Sequence, residues 1–291
     1  MTNRVSLGYS PCPNDTFIFY GLVHGKISEA PVFQQVLEDI ATLNSLALEG
    51  ELDTTKISFH ALAHLRERYC LLHAGGALGR GCGPLVVARE RLEPGQLVGK
   101  KIAIPGKLTT AALLLRLFEP GIQDLVILPF DQIMDAVQQG AVDAGLIIHE
   151  SRFTYSDYGL YEVIDLGAWW EEAAGHPIPL GGILARRDLG REQIERIDRS
   201  LRASVEYAHA HPEEVRGYVR THAQEMDDQV MQAHIDLYVN DYTLDYGRDG
   251  EAAIADLLRR AEVAGIVPVS DLPLFVDGNY KMPPGKIPAR P

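Results

Sequence analysis

The sequence predicts an α/β protein with two lobes, each a mixed, mostly parallel sheet flanked by helices. Short apolar runs alternate with helical patterns over residues 4–166, a rhythm typical of βαβ units. Two similar glycine-led apolar runs, Gly83–Leu92 and Gly181–Leu189, bracket the second half of this region. We interpret them as two hinge strands on which the chain leaves one lobe and returns to it, with a cleft between the lobes. After Arg191 the apolar residues recur every three or four positions, which predicts helices.

These observations divide the chain. We predict that residues 1–86 and 187–291 form lobe 1, which includes the C-terminal helices. Residues 87–186 form lobe 2, an insertion into lobe 1, and the active site lies in the cleft between them. Ligands of open α/β sheets bind beyond the carboxyl ends of the strands, so the loops at those ends are the places to look for chemistry.

The elements of lobe 1 follow from local patterns. A helix is predicted to begin at Asp15, a residue type favoured as an N-cap, and a second helix covers Ile40–Leu48 and ends at Gly50. The predicted strands are Arg4–Tyr9, Pro31–Leu37, Lys56–Phe59, Tyr69–His73 and Pro84–Ala88. The tail from Pro268 is rich in proline, including Pro283, Pro284, Pro288 and Pro291, and is predicted to be an extended strap.

Lobe 2 repeats the alternation. Its predicted strands are Lys101–Ile104, Leu125–Leu128, Val142–Ile148 and Tyr161–Leu166. One helix follows the PGKLTT turn, and another covers Phe130–Gln139. The run Val142–Ile148 is almost wholly apolar, as expected of a buried strand.

Composition excludes several classes of protein. Lys and Arg total 27 against 40 Asp and Glu, a net charge of −13, which argues against binding to nucleic acid or to an anionic membrane surface. The three cysteines include no CxxC pair, so a reducing compartment fits better than a disulfide framework. Neither a signal-peptide pattern nor a run of 18 apolar residues is present. We therefore expect a cytoplasmic protein with no membrane partner.

Two loops at strand ends lead into helices. In SPCPNDT, Asn14 and Asp15 either line the cleft or cap their own helix, and Cys12 is interpreted as structural. In PGKLTT, Thr109 and Thr110 open the next helix. Their hydroxyls and the free amides there suit a carboxylate or a phosphate, although a simple N-cap explains the same pattern.

Two strands carry further polar candidates. Alternation directs Lys56 and Ser58 to one face of their strand and Ile57 to the other, and a solvated lysine at a strand end is the simpler explanation of Lys56. His149 ends the apolar run of lobe 2 at the cleft edge, where an imidazole is either a general base or a packed structural residue. The same alternation sends Glu150 to the opposite face from His149.

We predict neither a metal nor a cofactor. His60 and His64 are four residues apart, but the segment lacks the glutamate of HExxH and a third ligand at a known spacing. The sequence contains no GxGxxG and no GxSxG motif.

Several motifs resemble one enzyme family. The run LGYSPCPNDTFIFYGLVHG at Leu7–Gly25, followed by TTKISFHAL, IPGKLTTAALLLRL and GLIIHESRFTY, is similar to the 1,4-dihydroxy-6-naphthoate synthases of the futalosine route to menaquinone. The resemblance implies the type II periplasmic-binding-protein fold. It also implies a small anionic substrate, cyclic dehypoxanthine futalosine, cleaved without a cofactor to 1,4-dihydroxy-6-naphthoate and a sugar remnant.

The resemblance also implies roles for residues. The catalytic histidine falls on His149, and the substrate-binding segments fall on Lys56, Ile57 and Ser58 and on Thr109 and Thr110. Two alternatives share the fold: a solute-binding protein without chemistry, and chorismate dehydratase of the same pathway.

The sequence leaves open the order of bond cleavage and the role of the proline-rich tail, and it leaves two further points open. One is whether the protein forms a homodimer. The other is which residue orients His149, and the candidates are Asn14, Asp15, Tyr155 and Asp157.

Overall fold

Two β-sheets form the framework of the protein in a computed structural model, which describes residues 4–223 and 227–276. In chain order the strands are β1 (Val5–Tyr9), β2 (Phe33–Leu37), β3 (Thr54–Ser58), β4 (Tyr69–Leu71), β5 (Ala77–Gly79), β6 (Leu85–Ala88), β7 (Ile102–Ile104), β8 (Leu125–Ile127), β9 (Ala144–Ile147), β10 (Tyr161–Asp165) and β11 (Ile178–Arg186). The helices are α1 (Pro13–Val23), α2 (Ile40–Glu49), α3 (Phe59–Leu62), α4 (Thr110–Phe118), α5 (Ile133–Gln138), α6 (Ser151–Thr154), α7 (Leu166–Ala174), α8 (Arg191–Ala210), α9 (Pro212–His222), α10 (Asp228–Tyr238), α11 (Asp241–Leu244) and α12 (Gly247–Val263).

Both sheets are mixed, as predicted, but they are less parallel than the sequence suggested. The first has the order β2-β1-β3-β11-β4, with β5 also paired to β11, and the second has the order β10-β6-β9-β7-β8. Within the described residues, β1 pairs in parallel with β2 and β3, and β7 with β8 and β9. Every other pairing includes β6 or β11 and is antiparallel.

The two runs predicted as hinge strands do not cross between the sheets. β6 forms all of its ladder in the second sheet, and β11 forms all of its ladder in the first. The predicted lobe boundaries at 86/87 and 186/187 therefore differ from sheet membership. The chain instead passes from β5 to β6 through residues 80–84, and from β10 to β11 through α7 and residues 175–177.

The first crossing depends on a close approach of two backbones. A Cβ atom added at Gly83 would lie 2.3 Å from the Cα atom of Gly167, the second residue of α7. Only glycine leaves room for this contact.

Local signals set several helix boundaries. Asp39 caps α2 by accepting hydrogen bonds from the amides of Ala41 and Thr42, and Gly50 ends that helix in the left-handed conformation, as predicted. The prediction that α1 begins at Asp15 is wrong. Pro13 occupies the first helical turn, where its missing N–H costs nothing, and Cys12 is the N-cap. The predicted helix over Phe130–Gln139 is a 3₁₀ turn followed by α5.

The C-terminal helices cover lobe 1. Helix α1 packs against α8, α9 and α10, and this contact encloses an apolar core that includes Phe19, Leu201 and Val205. Beyond α12 the chain runs back across the first sheet, where the amide of Leu71 donates to the carbonyl of Leu274. Of the predicted extended strap, residues 268–276 form neither helix nor strand and include several bends, and its last four prolines lie outside the described residues. Over the described ranges, no helix has the length and apolar character needed to cross a membrane.

Candidate active site

All of the predicted site residues line one cavity between the two sheets. They are Asn14, Asp15, Lys56, Ile57, Ser58, Thr109, Thr110 and His149. Lobe 1 contributes the start of α1 and the end of β3, and lobe 2 contributes the start of α4 and the segment after β9. The carboxyl ends of the strands therefore meet at this cavity, as the sequence analysis expected. The individual roles of these residues stay predictions.

A buried ion pair forms the floor of the cavity. The ammonium of Lys56 lies 2.7 Å from Oδ1 of Asp15, and the two side chains are 7% and 2% exposed. The second carboxylate oxygen of Asp15 accepts hydrogen bonds from the amide and the hydroxyl of Ser10. Asp15 is thus neither an N-cap nor a surface residue, and Lys56 is not a solvated strand-end lysine. The charges satisfy each other, as a buried pair requires.

Each of the predicted serine and threonine hydroxyls makes hydrogen bonds within the protein. Ser58 exchanges two hydrogen bonds with the side chain of Asn44. Thr109 caps α4 by accepting from the amide of Ala112. The hydroxyl of Thr110 accepts from the amide of Phe59 and donates to the carbonyl of Leu180, so it joins the two lobes. These three hydroxyls hold the walls of the cavity in register.

His149 lies at the cavity wall in an unusual backbone conformation. Its φ angle is 59°, and it has the one positive φ of a non-glycine residue among those described. Such a conformation is costly outside glycine and asparagine, and it is often found at functional sites. The Nδ1 atom lies 3.5 Å from Sγ of Cys12, and Phe130 packs edge-on against the ring. Burial lowers the pKa of His149 to about 4, so the imidazole is neutral at neutral pH.

The prediction that Glu150 faces away from His149 is wrong. Strand β9 ends at Ile147, so alternation no longer applies, and the left-handed turn at His149 brings the next side chain back. Ligand atoms of Cys12, His149 and Glu150 all lie within 4.8 Å of one another. This set could in principle ligate a metal, but burial raises the pKa of the Cys12 thiol well above its usual value, which disfavours the thiolate that metals need. The expectation of no metal stays a prediction.

The contacts of His149 bear on its orientation. Of the candidates, Asn14 and Asp15 line the same cavity, whereas Asp157 lies exposed on the 3₁₀ turn Tyr155–Tyr158. The observed contact at Nδ1 comes from Cys12, which the sequence analysis took as structural. Cys12 reaches it because the N-cap position of α1 faces the segment after β9.

Sequence reasoning missed His234. This residue lies on α10, is 1% exposed and lines the cavity. Its Nε2 atom lies 2.9 Å from Oδ1 of Asn14, and its Nδ1 atom lies 3.9 Å from Oε2 of Glu150. The ring is nearly parallel to that of His149, with the centroids 6.2 Å apart. Burial lowers the pKa of His234 well below its usual value. One signal was present: His234 shares the apolar face of its helix with Met231, Ile235 and Tyr238.

Comparison with known proteins identifies the family. A family model described as menaquinone biosynthesis matches residues 5–263. The chain is 55% identical over 270 residues to the 1,4-dihydroxy-6-naphthoate synthase of Thermus thermophilus, covering 93% of this chain and 98% of the relative.

Solved structures agree with this assignment. The crystal structure of protein AF1704 from Archaeoglobus fulgidus superposes with a TM-score of 0.86 at 40% identity, covering 91% of this chain and 98% of that one. A Candida albicans protein with the generic periplasmic-binding-protein fold superposes with a TM-score of 0.67 at 13% identity, covering 92% of each chain, which confirms the predicted fold alone. On this identity and coverage, the chain belongs to the menaquinone biosynthesis family.

Proposed function

We propose that the protein is a carbon–carbon lyase that converts cyclic dehypoxanthine futalosine to 1,4-dihydroxy-6-naphthoate and a sugar remnant, with His149 as the general base. The observation that carries the proposal is the neutral imidazole of His149, held in a left-handed turn at the wall of a cavity between the lobes. The name of the Thermus relative supports the product. The reaction needs no cofactor in this account.

The contacts of His149 support its role as a base. The Nδ1 atom faces the thiol of Cys12, so the Nε2 atom is the one left for substrate. A neutral ring with its proton on Nδ1 presents a lone pair at Nε2, which can take the proton from the carbon beside the substrate ketone. Bond cleavage then follows, and formation of the aromatic naphthalene drives the reaction forward. Positioned proton transfer of this kind contributes about 10²–10⁴-fold to the rate.

The start of α4 supports binding of the substrate carboxylate. Thr110 and Ala111 in its first turn line the cavity. Amide groups at a helix N-terminus point outward and favour an anion, so this wall suits the benzoate end of the substrate. The acidic net charge of the whole protein does not prevent binding of the carboxylate, because the local electric field at the start of α4 dominates at this short distance.

Contacts between the lobes support exclusion of water during the reaction. Thr110 in lobe 2 bonds to Phe59, the first residue of α3, and to Leu180 in β11 of the first sheet, so the lobes meet directly beside the cavity. A closed, dry site strengthens each polar contact with the transition state. We further propose that the protein works in the cytoplasm, since its three cysteines are buried and unpaired in the structure, as in a reducing compartment.

The experiment is to mix the purified protein separately with cyclic dehypoxanthine futalosine and with chorismate. We expect naphthol-type fluorescence to appear with the first substrate and no reaction with the second. Dehydration of chorismate would assign the protein to chorismate dehydratase. Binding of either compound without turnover would indicate a solute-binding protein.

A further inference from the structure

The thiol of Cys12 is not used by its own helix. Cys12 is the N-cap residue of α1, yet its side chain makes no capping hydrogen bond. Its sulfur instead lies 3.5 Å from Nδ1 of His149, within hydrogen-bonding distance for sulfur. Within the described part of the chain, Cys12 is not among the residues that line the cavity. The thiol therefore contacts the proposed base from the side away from the substrate.

The chemistry of His149 depends on which ring nitrogen carries the proton. In a neutral imidazole one nitrogen is a donor and the other is an acceptor, and the partner of the first nitrogen decides between them. Phe130 packs edge-on against the ring and limits its tilt, but an aromatic edge does not choose between the nitrogens. The contact that can choose is the one between Nδ1 and the sulfur of Cys12.

The buried ion pair decides which way the thiol proton points. The Lys56 ammonium lies 2.7 Å from Oδ1 of Asp15, and Oδ2 of Asp15 accepts the hydroxyl proton of Ser10 at 2.7 Å. A serine hydroxyl has one proton, so the Ser10 oxygen can only accept from other groups. Burial raises the pKa of the Cys12 thiol well above its usual value, so the thiol keeps its proton, and it hydrogen-bonds with the Ser10 side chain. The thiol proton therefore points to Ser10, and a sulfur lone pair faces His149.

We infer that Cys12 is the positioning residue of His149: its sulfur accepts the proton of Nδ1 and leaves the lone pair of Nε2 for the substrate. The donors are ordered from His149 to Cys12 to Ser10. Asp15 ends the chain as an anion paired with Lys56. This inference rests on the proposed function and adds to it the group that sets the protonation of the base. Cys12 forms no bond to substrate and is not a catalytic residue.

The first measurement is the tautomer of His149 in the protein without substrate. In protein labelled with ¹⁵N at histidine, the NMR shifts of the two ring nitrogens show which one carries the proton. Loss of these signals in His149→Asn assigns them. Burial lowers the pKa of His149 to about 4, so the ring is neutral at pH 7. We expect the proton on Nδ1, and a proton on Nε2 would overturn the inference.

Two substitutions break the chain at different links. Cys12→Ala removes the acceptor at Nδ1, and Ser10→Ala removes the acceptor of the thiol proton, which can then turn toward Nδ1. Both should move the proton of His149 toward Nε2. We expect Cys12→Ala to lower kcat for cyclic dehypoxanthine futalosine about tenfold, the worth of one hydrogen bond, and to leave KM nearly unchanged. Cys70→Ala is the matched control, because it also truncates a buried cysteine and should keep both kcat and the tautomer.

Thermal unfolding of each variant reports on folding separately from these readouts. An unchanged tautomer in either Cys12→Ala or Ser10→Ala would overturn the inference, as would a loss of kcat in Cys70→Ala equal to that in Cys12→Ala. If Cys12→Ala does not fold, the tautomers of the wild type and of Ser10→Ala still decide. Failure of the proposed function gives a different result, since the wild-type protein would then form no naphthoate, whereas the tautomer is measured without substrate.

Discussion

Replacing Asp15 with asparagine should strongly destabilise the protein. The substitution keeps the shape of the side chain but removes the charge that faces the Lys56 ammonium at 2.7 Å. Both side chains are nearly fully buried, so water cannot replace the lost partner. Removing one member of a buried ion pair leaves an uncompensated charge and costs about 3–5 kcal/mol. Asp15 also accepts two hydrogen bonds from Ser10, so we place the loss in the upper half of that range.

The assay is urea-induced unfolding followed by circular dichroism at neutral pH. Glu195→Gln, which breaks the exposed Arg191–Glu195 pair, is the control and should leave the midpoint nearly unchanged. The double variant Asp15→Asn with Lys56→Met should recover part of the loss, because it buries no unpaired charge. If Asp15→Asn shifts the midpoint no more than Glu195→Gln does, the ion pair does not hold the cavity floor and the reasoning is refuted.

Three further results are expected. The value of kcat/KM should stay level as the pH falls from 8 to 5 and should decline near pH 4. The reason is that burial lowers the pKa of His149 to about 4, and only the neutral ring is a base. A decline of kcat/KM near pH 6.5 would contradict this prediction. Gly83→Ala should lower the melting temperature because its Cβ meets backbone at 2.3 Å, whereas Gly95→Ala, in open space, should not, and equal effects would argue against the close crossing. Thr110→Val should cost about 1–3 kcal/mol by removing the partner of the buried amide of Phe59 and of the partly buried carbonyl of Leu180. The exposed Thr221→Val should cost far less, both variants being measured by urea unfolding.

Local signals in the sequence were sufficient to predict features that depend on only a few neighbouring residues, such as the end of a helix. Gly50 ends α2 because only a residue tolerant of positive φ closes that turn, and a single sequence contains this information. The alternation of strands and helices in lobe 1 and the helices of the C-terminal region were also predicted from local patterns. Lys56, near the end of a strand, and Thr109, in the turn after another strand, were predicted to share a cleft on the rule that strand ends meet at one edge, and they line one cavity.

Contacts between distant parts of the chain could not be predicted from the sequence. His234 reaches Asn14 across 220 positions, and no local pattern links a histidine on α10 to the first turn of α1. Glu150 was misplaced because period-two alternation assumes an extended backbone, and the left-handed turn at His149 depends on packing around it. The direction of β11 was hidden for the same reason, since its partners β3, β4 and β5 lie about 100 residues earlier.

The role of His149 is tested most directly by His149→Asn. Asparagine is the suitable replacement because it tolerates the left-handed backbone at this position better than alanine does, so the fold is expected to persist. Binding of cyclic dehypoxanthine futalosine is measured by calorimetry and turnover by naphthoate fluorescence. We predict a dissociation constant within a few-fold of the wild-type KM and a turnover reduced by about 10²-fold or more. A variant that binds and turns over substrate at a rate near that of the wild type would contradict the assignment of His149 as the base.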